Sequence, residues 1–286
     1  MKNKTYLPVS LLATLALAAC GGGGGGSGAS ATPAATAASA PSAASTPATT
    51  VNGVELPSLA SPQAGSTAAV GNGIEGIWTS QSGVNKTTAF IDPQNNVSYV
   101  TSMSTVVMNE FFGAITTATP NWTLTSGDAY SLAFYYPTTS GSGTFASAQT
   151  FSGSFVSNGT TTSLSWTYDP ANALAVTQGS VTGTWSESGS SLTVAADGSV
   201  SGTISNCPVT GTLLLATPSS SENLYTLSVT GTTTTCTLQS GKTYSGSAAI
   251  TFLPISGSSL YTPTLMFIIR APDNSAIAYG QLSQPK

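Results

Sequence analysis

The sequence contains no histidine, a single arginine and only three cysteines, and charged side chains make up 6% of its residues. The absence of histidine excludes Ser-His-Asp triads, Cys-His pairs and histidine-ligated metal sites. Six basic against ten acidic residues give a formal net charge of -4. Proteins that bind nucleic acids need Lys and Arg to neutralise phosphates. We therefore expect no nucleic-acid partner, no metal and no cofactor.

Carboxylates are the remaining side chains that could carry catalysis. Most of them lie beside Gly, Pro or Asn, as is typical of turn-forming residues. We expect the protein not to be an enzyme, but a glycosidase needs only two carboxylates in a cleft, so that alternative stays open. The ten acidic residues are Glu55, Glu75, Asp92, Glu110, Asp128, Asp169, Glu187, Asp197, Glu222 and Asp273.

The amino-terminal segment has the organisation of a secretory signal peptide. Lys2 and Lys4 form a short basic start, and a mostly apolar run follows from Leu7 to Ala19. This run is shorter than the about 20 apolar residues that a membrane-spanning helix requires. It matches the apolar region of a signal peptide, so we predict a signal peptide over residues 1–19.

The signal peptide ends in a motif that specifies a lipid anchor. Leu17-Ala18-Ala19-Cys20 resembles the lipobox of bacterial lipoproteins. The resemblance implies cleavage before Cys20, a diacylglycerol on its thiol and acylation of its new amine. Two or more acyl chains hold a protein stably at a membrane. Gly21, rather than Asp, follows the cysteine, which in that family implies the outer membrane; the face of that membrane stays open.

A low-complexity segment separates Cys20 from the rest of the chain. It begins with Gly21–Gly26 and continues with Ala, Ser, Thr and Pro. Such a composition cannot bury a hydrophobic core. We therefore predict that residues 20–70 are a lipidated cysteine followed by a disordered tether.

The remainder of the chain alternates apolar and polar residues with a period of two. In "YSLAFYY", Tyr130, Leu132, Phe134 and Tyr136 would share one face of a strand. Alternation with aromatic and β-branched residues predicts half-buried strands. Dipeptides such as Asn158-Gly159 and Asp197-Gly198 favour tight hairpins, and no segment predicts a helix. We expect an all-β antiparallel meander that closes into one barrel or into two packed half-barrels.

Two segments of the chain begin in the same way. Gly76 and Trp78 open "GIWTSQSGVNKTTAFIDPQNNVSYV", and Gly183 and Trp185 open "GTWSESGSSLTVAADGSVSGTI". Each continues with a strand, an Asp-containing turn and a second strand. We predict two related β-units, residues 71–170 and 171–286. Each tryptophan is expected on the inner face of its first strand, beside a glycine that permits close approach.

The second unit contains the two cysteines that follow the lipobox. A secreted protein reaches an oxidising compartment, where paired cysteines usually form a disulfide. We therefore predict a structural disulfide between Cys207 and Cys236. Zinc would need further ligands that the sequence does not provide.

Arg270 ends "YTPTLMFIIR", the most apolar strand of the folded part. One interpretation is a solvated strand end. Lipocalins, however, also begin with Gly-x-Trp and carry a late arginine across that tryptophan, and Gly76, Trp78 and Arg270 resemble this arrangement. The resemblance implies that Arg270 packs on Trp78 or Trp185 through a cation–π contact. It also implies the alternative function of a carrier for a small apolar ligand.

The whole chain resembles a group of Gram-negative envelope lipoproteins. Members share the lipobox, a Gly-rich tether, two Gly-x-Trp units, a link like Tyr168-Asp169-Pro170 and two cysteines in the second unit. Surface lipoproteins that bind transferrin are similar in architecture. The resemblance implies a fold and a location but no activity. Our leading hypothesis is an outer-membrane lipoprotein whose non-enzymatic β domain contacts another envelope or extracellular protein.

Overall fold

The computed structural model describes residues 53–103, 106–132 and 134–285. The predicted signal peptide, the lipidation site Cys20 and most of the predicted tether lie outside the described residues. The described part confirms an all-β antiparallel meander. Its strands form two complete barrels of eight strands each, rather than one barrel or two half-barrels. Among the described residues, no helix is long and apolar enough to cross a membrane.

The first barrel closes when its last strand pairs with its first, through Trp78 opposite Tyr168 and Thr79 opposite Thr167. Each strand is hydrogen-bonded to the next in the sequence. Its strands are β1 (Gly76–Ser82), β2 (Asn85–Ile91), β3 (Asn96–Met103), β4 (Val106–Ala118), β5 (Asn121–Ser131), β6 (Phe134–Ala146), β7 (Thr150–Ser157) and β8 (Thr160–Tyr168).

The second barrel repeats this topology and closes through Ser283 opposite Ser186. Two short 3-10 turns, Pro170–Ala173 and Gln178–Val181, connect the barrels. The strands of the second barrel are β9 (Gly183–Glu187), β10 (Ser190–Val194), β11 (Ser199–Ile204), β12 (Cys207–Leu215), β13 (Tyr225–Gly231), β14 (Thr243–Pro254), β15 (Tyr261–Arg270) and β16 (Ile277–Ser283).

Alternation along the strands divides the apolar side chains between the barrel interiors and a third cluster. Side chains of one parity fill each interior, because successive residues of a strand point to opposite faces. On the facing outer surfaces, apolar residues of both barrels pack together and remove each other from water. This cluster comprises Ile77, Phe90, Val100, Phe112 and Tyr130 of the first barrel with Ala171, Leu224, Ala249, Met266 and Ile268.

Two buried asparagines fasten the connections to the barrels. The Asn172 side chain accepts a hydrogen bond from the Ile77 backbone N–H (2.8 Å) and donates one to the Ile77 carbonyl (2.7 Å). The Asn223 side chain makes the same two bonds with the backbone of Ile250, at 3.0 and 2.7 Å. Each asparagine thus satisfies strand groups that would otherwise be buried without a partner.

The prediction of a free tether up to residue 70 is wrong for its last part. Val54 pairs with Tyr261 through two backbone hydrogen bonds of 2.9 and 2.8 Å. The Gln63 N–H donates to the Ala173 carbonyl, and Ser66 is fully buried. Residues Thr67–Val70 form a single helical turn, α1. Residues 53–70 therefore belong to the folded body, because their backbone groups bond to strand β15 and to a 3-10 turn that connects the barrels.

One predicted strand is in fact a hairpin. The segment "YSLAFYY" was expected to run straight, with Leu132 and Phe134 on one face. Strand β5 ends at Ser131 and β6 begins at Phe134. Leu132 takes a left-handed conformation, with φ of 48°. Leu132 in the turn and Phe134 at the start of β6 are both exposed instead of buried.

Candidate functional site

The two Gly-x-Trp segments occupy equivalent places in the two barrels. Trp78 and Trp185 both lie inside on the first strand of their barrel and are 0% and 2% exposed. The indole N–H of Trp78 donates to the Ile74 carbonyl (2.8 Å), and that of Trp185 donates to the Val181 carbonyl (2.7 Å). Each indole thus bonds to the carbonyl four residues before it. The same local geometry ties the segment that precedes each barrel to the first strand of that barrel.

The two glycines of these segments serve different needs. Both adopt positive φ, 128° for Gly76 and 115° for Gly183, where L side chains are strained. A Cβ at Gly76 would also lie 2.5 Å from the Asn172 side-chain oxygen and 2.8 Å from the Tyr168 hydroxyl. A Cβ at Gly183 would meet Gln284 only at 3.4 Å. Close packing is therefore a requirement at Gly76 but not at Gly183.

Aromatic rings fill the lower half of the first barrel. Phe151 stacks on Trp122 at 4.9 Å and on Trp166 at 5.0 Å, and Tyr99 stacks on Phe111 at 5.4 Å between centroids. The void lined by these rings measures about 10 Å³, too little for anything larger than one water. This part of the interior leaves no room for an organic ligand.

The upper half of the first barrel is open and lined with hydroxyl and amide groups. We call this recess the mouth; it measures about 470 Å³ and has Tyr99 and Trp166 at its floor. On one wall, the hydroxyls of Thr87 and Thr101 hydrogen-bond to each other between the paired strands β2 and β3 at 2.8 Å. Its polar wall includes Ser80, Ser82, Thr87, Thr101, Asn109 and Thr162.

The corresponding end of the second barrel is covered. The connection between β13 and β14, residues 232–242, is much longer than the turn between β5 and β6 at the equivalent position. Leu238 of this connection is 2% exposed and packs into the interior. The backbone N–H of Gln239 donates to the Tyr244 hydroxyl at 2.9 Å. We call residues 232–242 the plug.

Exposed apolar side chains surround the mouth of the first barrel. They lie in or next to the turns β1–β2, β3–β4 and β5–β6, which are close together because the meander places alternate turns at one end. Phe134 is 68% exposed and Val84 is 70% exposed. We call this group the rim; it comprises Val84, Met103, Val106, Leu132, Phe134 and Tyr135.

A cleft of about 950 Å³ lies between the two barrels and adjoins the rim at Leu132. Strands β2, β3 and β4 form one wall, and β14, β15 and β16 form most of the other. Much of its lining is apolar, with a few polar groups at defined places. The apolar lining residues are Val100, Val107, Leu132, Leu253, Met266, Ile277 and Ala278.

Glu110 projects from β4 toward this cleft and is 5% exposed. Among the described residues, its carboxyl has neither a hydrogen-bond donor nor a cationic partner. Burial raises the pKa of Glu110 from 4.5 to about 7, because the charged form loses hydration without compensation. A carboxyl in this position ionises close to neutral pH.

Three further ionisable side chains face Glu110 in the cleft. The second barrel contributes Glu187 at the exposed edge, where it accepts a hydrogen bond from the Gln281 N–H at 3.3 Å. Tyr279 presents its ring from β16, and burial together with the carboxylates of Glu110 and Glu187 raises its pKa. Lys86 lines the first-barrel wall but forms no ion pair with Glu110.

Arg270 does not pack on either predicted tryptophan. Along β15, Phe267 and Ile269 point into the second barrel, so Arg270, one residue on, points outward to the neighbouring barrel. Its guanidinium lies 4.9 Å from the centre of the Phe112 ring and pairs with Asp128. It is half-buried, so it is not a freely solvated strand end either. The lipocalin-like contact is wrong because Arg270 and the tryptophans lie on opposite faces of their sheets.

Cys207 and Cys236 are adjacent, but the predicted disulfide is not formed. Both are free thiols, and their sulfurs lie 2.7 Å apart, beyond the about 2.05 Å of a disulfide bond. Cys236 belongs to the plug, and its thiol contacts the carbonyl oxygen of Asn206 at 3.8 Å. The neighbouring Cys207 thiol raises the pKa of Cys236. The pair joins the plug to β12 through contact rather than through a covalent bond.

Two other carboxyls meet at the base of the first barrel. Glu75 is 5% exposed and Glu222 is 9% exposed. Burial, followed by a hydrogen bond with Glu222, raises the pKa of Glu75 to about 8. A shared proton avoids placing two charges together in a buried site. No group of three or more Cys, Asp or Glu side chains in the described ranges is placed to hold a metal ion.

Sequence reasoning named Glu110 and Glu187 only among the acidic residues and did not pair them. They are far apart in the sequence and line the same cleft because the two barrels pack together. Glu187 is not adjacent to Gly, Pro or Asn, but Glu110 directly follows Asn109. The neighbouring residues therefore gave no signal that would have singled out both carboxylates.

No protein-family model matches the sequence, and comparisons with curated proteins and with solved structures give no significant match.

Proposed function

We propose that the protein is an outer-membrane lipoprotein, anchored through acyl chains on Cys20, whose non-enzymatic β domain binds another protein of the envelope or the extracellular space. The basic start, the apolar run and the lipobox support the anchor. The similarity to envelope lipoproteins with two Gly-x-Trp units supports the location. The few charges suit a domain that works outside the cytoplasm.

The observation that carries the protein-binding proposal is the rim. Its six large apolar side chains are exposed together at one end of one barrel. Contiguous exposed apolar surface is uncommon on monomeric proteins and usually marks an interaction site. Aromatic residues such as Phe134 and Tyr135 are the kind that anchor protein interfaces. The surrounding hydroxyl groups would form a polar periphery.

The packing of the interiors favours this function over the carrier of a small apolar ligand. Aromatic rings occupy the lower half of the first barrel, and the void among them is about 10 Å³. The mouth above is polar, and Leu238 covers the corresponding end of the second barrel. An apolar ligand would have to displace this packing before it could enter.

Site-specific photo-cross-linking in intact cells tests the rim. A benzoylphenylalanine in place of Phe134 should give a cross-linked product of defined mass. The matched control carries the same group in place of Leu214, which is 43% exposed on the second barrel. Products from the rim but not from Leu214 are expected. Equal products from both positions, or none from the rim, would contradict the proposal.

The anchor is tested separately. Cys20→Ser should remove labelling with an alkyne fatty acid and shift the protein from the detergent phase to the aqueous phase. Unchanged partitioning would refute the lipid anchor. Digestion of intact cells with proteinase K then distinguishes the two faces of the outer membrane. A surface-displayed domain is degraded, whereas a periplasmic domain is degraded only after the outer membrane is opened.

A further inference from the structure

The cleft between the barrels, which adjoins the rim at Leu132, has the properties of a second binding site. Its volume of about 950 Å³ lies within the roughly 300–1,000 Å³ of typical small-molecule sites. Such sites combine apolar walls with a few placed polar groups. Here apolar side chains share the walls with hydroxyl and amide groups, and the ionisable groups are Lys86, Glu110, Glu187 and Tyr279.

Glu110 is the group that demands an explanation. A glutamate residue that is only 5% exposed normally has a hydrogen-bond donor or a cation beside its carboxyl, because burial without a partner is costly. None of the described residues supplies one. The side chain points into a space large enough for a ligand. The missing partner therefore has room to come from outside the chain.

We propose that this cleft binds an ammonium group carried on an aliphatic chain, with Glu110 as the anion that receives the ammonium. The aliphatic part would lie against Val100, Met266 and Ile277 of the apolar walls. Tyr279, 38% exposed, offers an aromatic face for the cation. Glu187 adds a second negative charge at the cleft edge.

The charges in the cleft favour a cation of this kind over a metal ion. With both carboxyls ionised, Glu110 and Glu187 outweigh the single positive charge of Lys86. Calcium would require about six or more oxygen ligands, and in the described ranges no group of three or more Cys, Asp or Glu side chains is placed to hold a metal ion. An alkyl ammonium needs one buried anion and an apolar wall, and the cleft provides both.

Two sources share this chemistry, a free alkyl amine and a lysine side chain of a bound protein. Hexylammonium represents the first, and a tripeptide with a central lysine and blocked ends represents the second. Binding is measured by calorimetry on the whole β domain with its connecting segment, residues 53–286, at pH 8. Either probe should bind at least tenfold more tightly than its neutral counterpart, hexanol or the tripeptide with norleucine. The probe that binds identifies the source.

Glu110→Gln should weaken binding at least tenfold, whereas the equally charge-changing Asp197→Asn, at an exposed turn, should leave it unchanged. Hexylammonium should also lower the pKa of Glu110, measured from its carboxyl carbon by NMR. Because Glu110 ionises near pH 7, affinity should rise roughly tenfold from pH 6 to pH 8. Glu110→Gln should fold, because it removes a buried charge, and melting curves check this.

Several results would overturn the proposal. Hexanol binding as tightly as hexylammonium, or wild-type affinity in Glu110→Gln, would show that Glu110 does not receive the cation. Calcium binding that is tighter than hexylammonium binding and that depends on Glu110 would show that the cleft is a metal site rather than an ammonium site. Cross-linking at the rim is unaffected by these outcomes, so failure here leaves the protein-binding proposal standing.

Discussion

The two barrels share one topology and one opening motif, yet they fill their interiors differently. Every close aromatic pair among the described residues lies between residues of the first barrel. The second interior is mainly aliphatic, with Leu192, Leu213 and Leu265 fully buried. An eight-stranded barrel is just wide enough to be filled by side chains. In the first barrel, stacked rings fill one end of the interior and the mouth leaves the other end open. In the second barrel, the plug closes the end that corresponds to the mouth.

The largest effect should come from the equivalent tryptophans. Trp78→Ala and Trp185→Ala should each lower the free energy of unfolding by roughly 3–5 kcal/mol, because each removes a buried indole and its hydrogen bond. Denaturant unfolding followed by circular dichroism measures both. A severe effect at Trp185 with none at Trp78 would show that the two opening strands are not equivalent in energy.

The plug provides the second test of the comparison. Leu238→Ala should cost roughly 2–3 kcal/mol, because the cavity it leaves is buried in the second interior. Leu132→Ala, in the equivalent turn of the first barrel, should change stability by less than about 0.5 kcal/mol, since Leu132 is 57% exposed. Chemical denaturation of both variants decides the point. Equal losses would mean that the first mouth is also covered.

The first barrel alone should confer a dependence of stability on pH at its base. The pKa of Glu75 is raised to about 8 in the folded protein, whereas the unfolded chain ionises near 4.5. The folded state therefore holds an extra proton between these values, and the free energy of unfolding falls as the pH rises through them. In Glu75→Gln, the fall in the free energy of unfolding over this pH range should be smaller by roughly 1–3 kcal/mol.

The equivalent residue of the second barrel is Thr182, which cannot ionise. Exposed Glu55 supplies a matched control, because Glu55→Gln makes the same chemical change outside a buried site. Melting temperatures measured from pH 5 to pH 8 should fall less steeply for Glu75→Gln, with Glu110 supplying the remaining slope, and should keep the wild-type slope for Glu55→Gln. A parallel slope in all three proteins would assign the pH dependence to other groups.

The smallest effects should separate an ion pair between the barrels from one within a barrel. Arg270→Met removes the pairing with Asp128 and the contact with Phe112, and should cost about 1–2 kcal/mol. Lys242→Met breaks the exposed pair with Asp273 and should leave stability unchanged within error. Thermal denaturation at low and high salt compares them. A larger loss for Lys242 would contradict the assignment.

The period of two in the sequence predicted the strands, because one buried face leaves a regular trace. The apolar run of "TLMFIIR" carried a further signal. Phe267 faces the interior while Met266 and Ile268 face the other barrel, so apolar residues on both faces indicate a strand buried on both sides. The pattern did not say what covers the second face.

Other features could not be predicted from the sequence because they depend on pairing across the whole chain. The partner of Arg270 is Asp128, which belongs to the other barrel, and local sequence cannot identify it. The placement of Glu110 and Glu187 in one cleft has the same origin. The turn at Leu132 was missed because "YSLAFYY" contains no Gly, Asn or Pro. The cysteines were correctly placed together, but their chemical state does not follow from spacing.

The pairing of Val54 with Tyr261 has a mechanical consequence. A pulling force that enters from the amino-terminal side reaches the body at Val54 and loads two backbone hydrogen bonds to Tyr261. The next attachment is the bond from Gln63 to Ala173. Because few bonds hold these points, they yield before the continuous ladders of either barrel. We therefore expect tension on the chain to detach residues 53–66 first, so that this segment lengthens while the barrels stay closed.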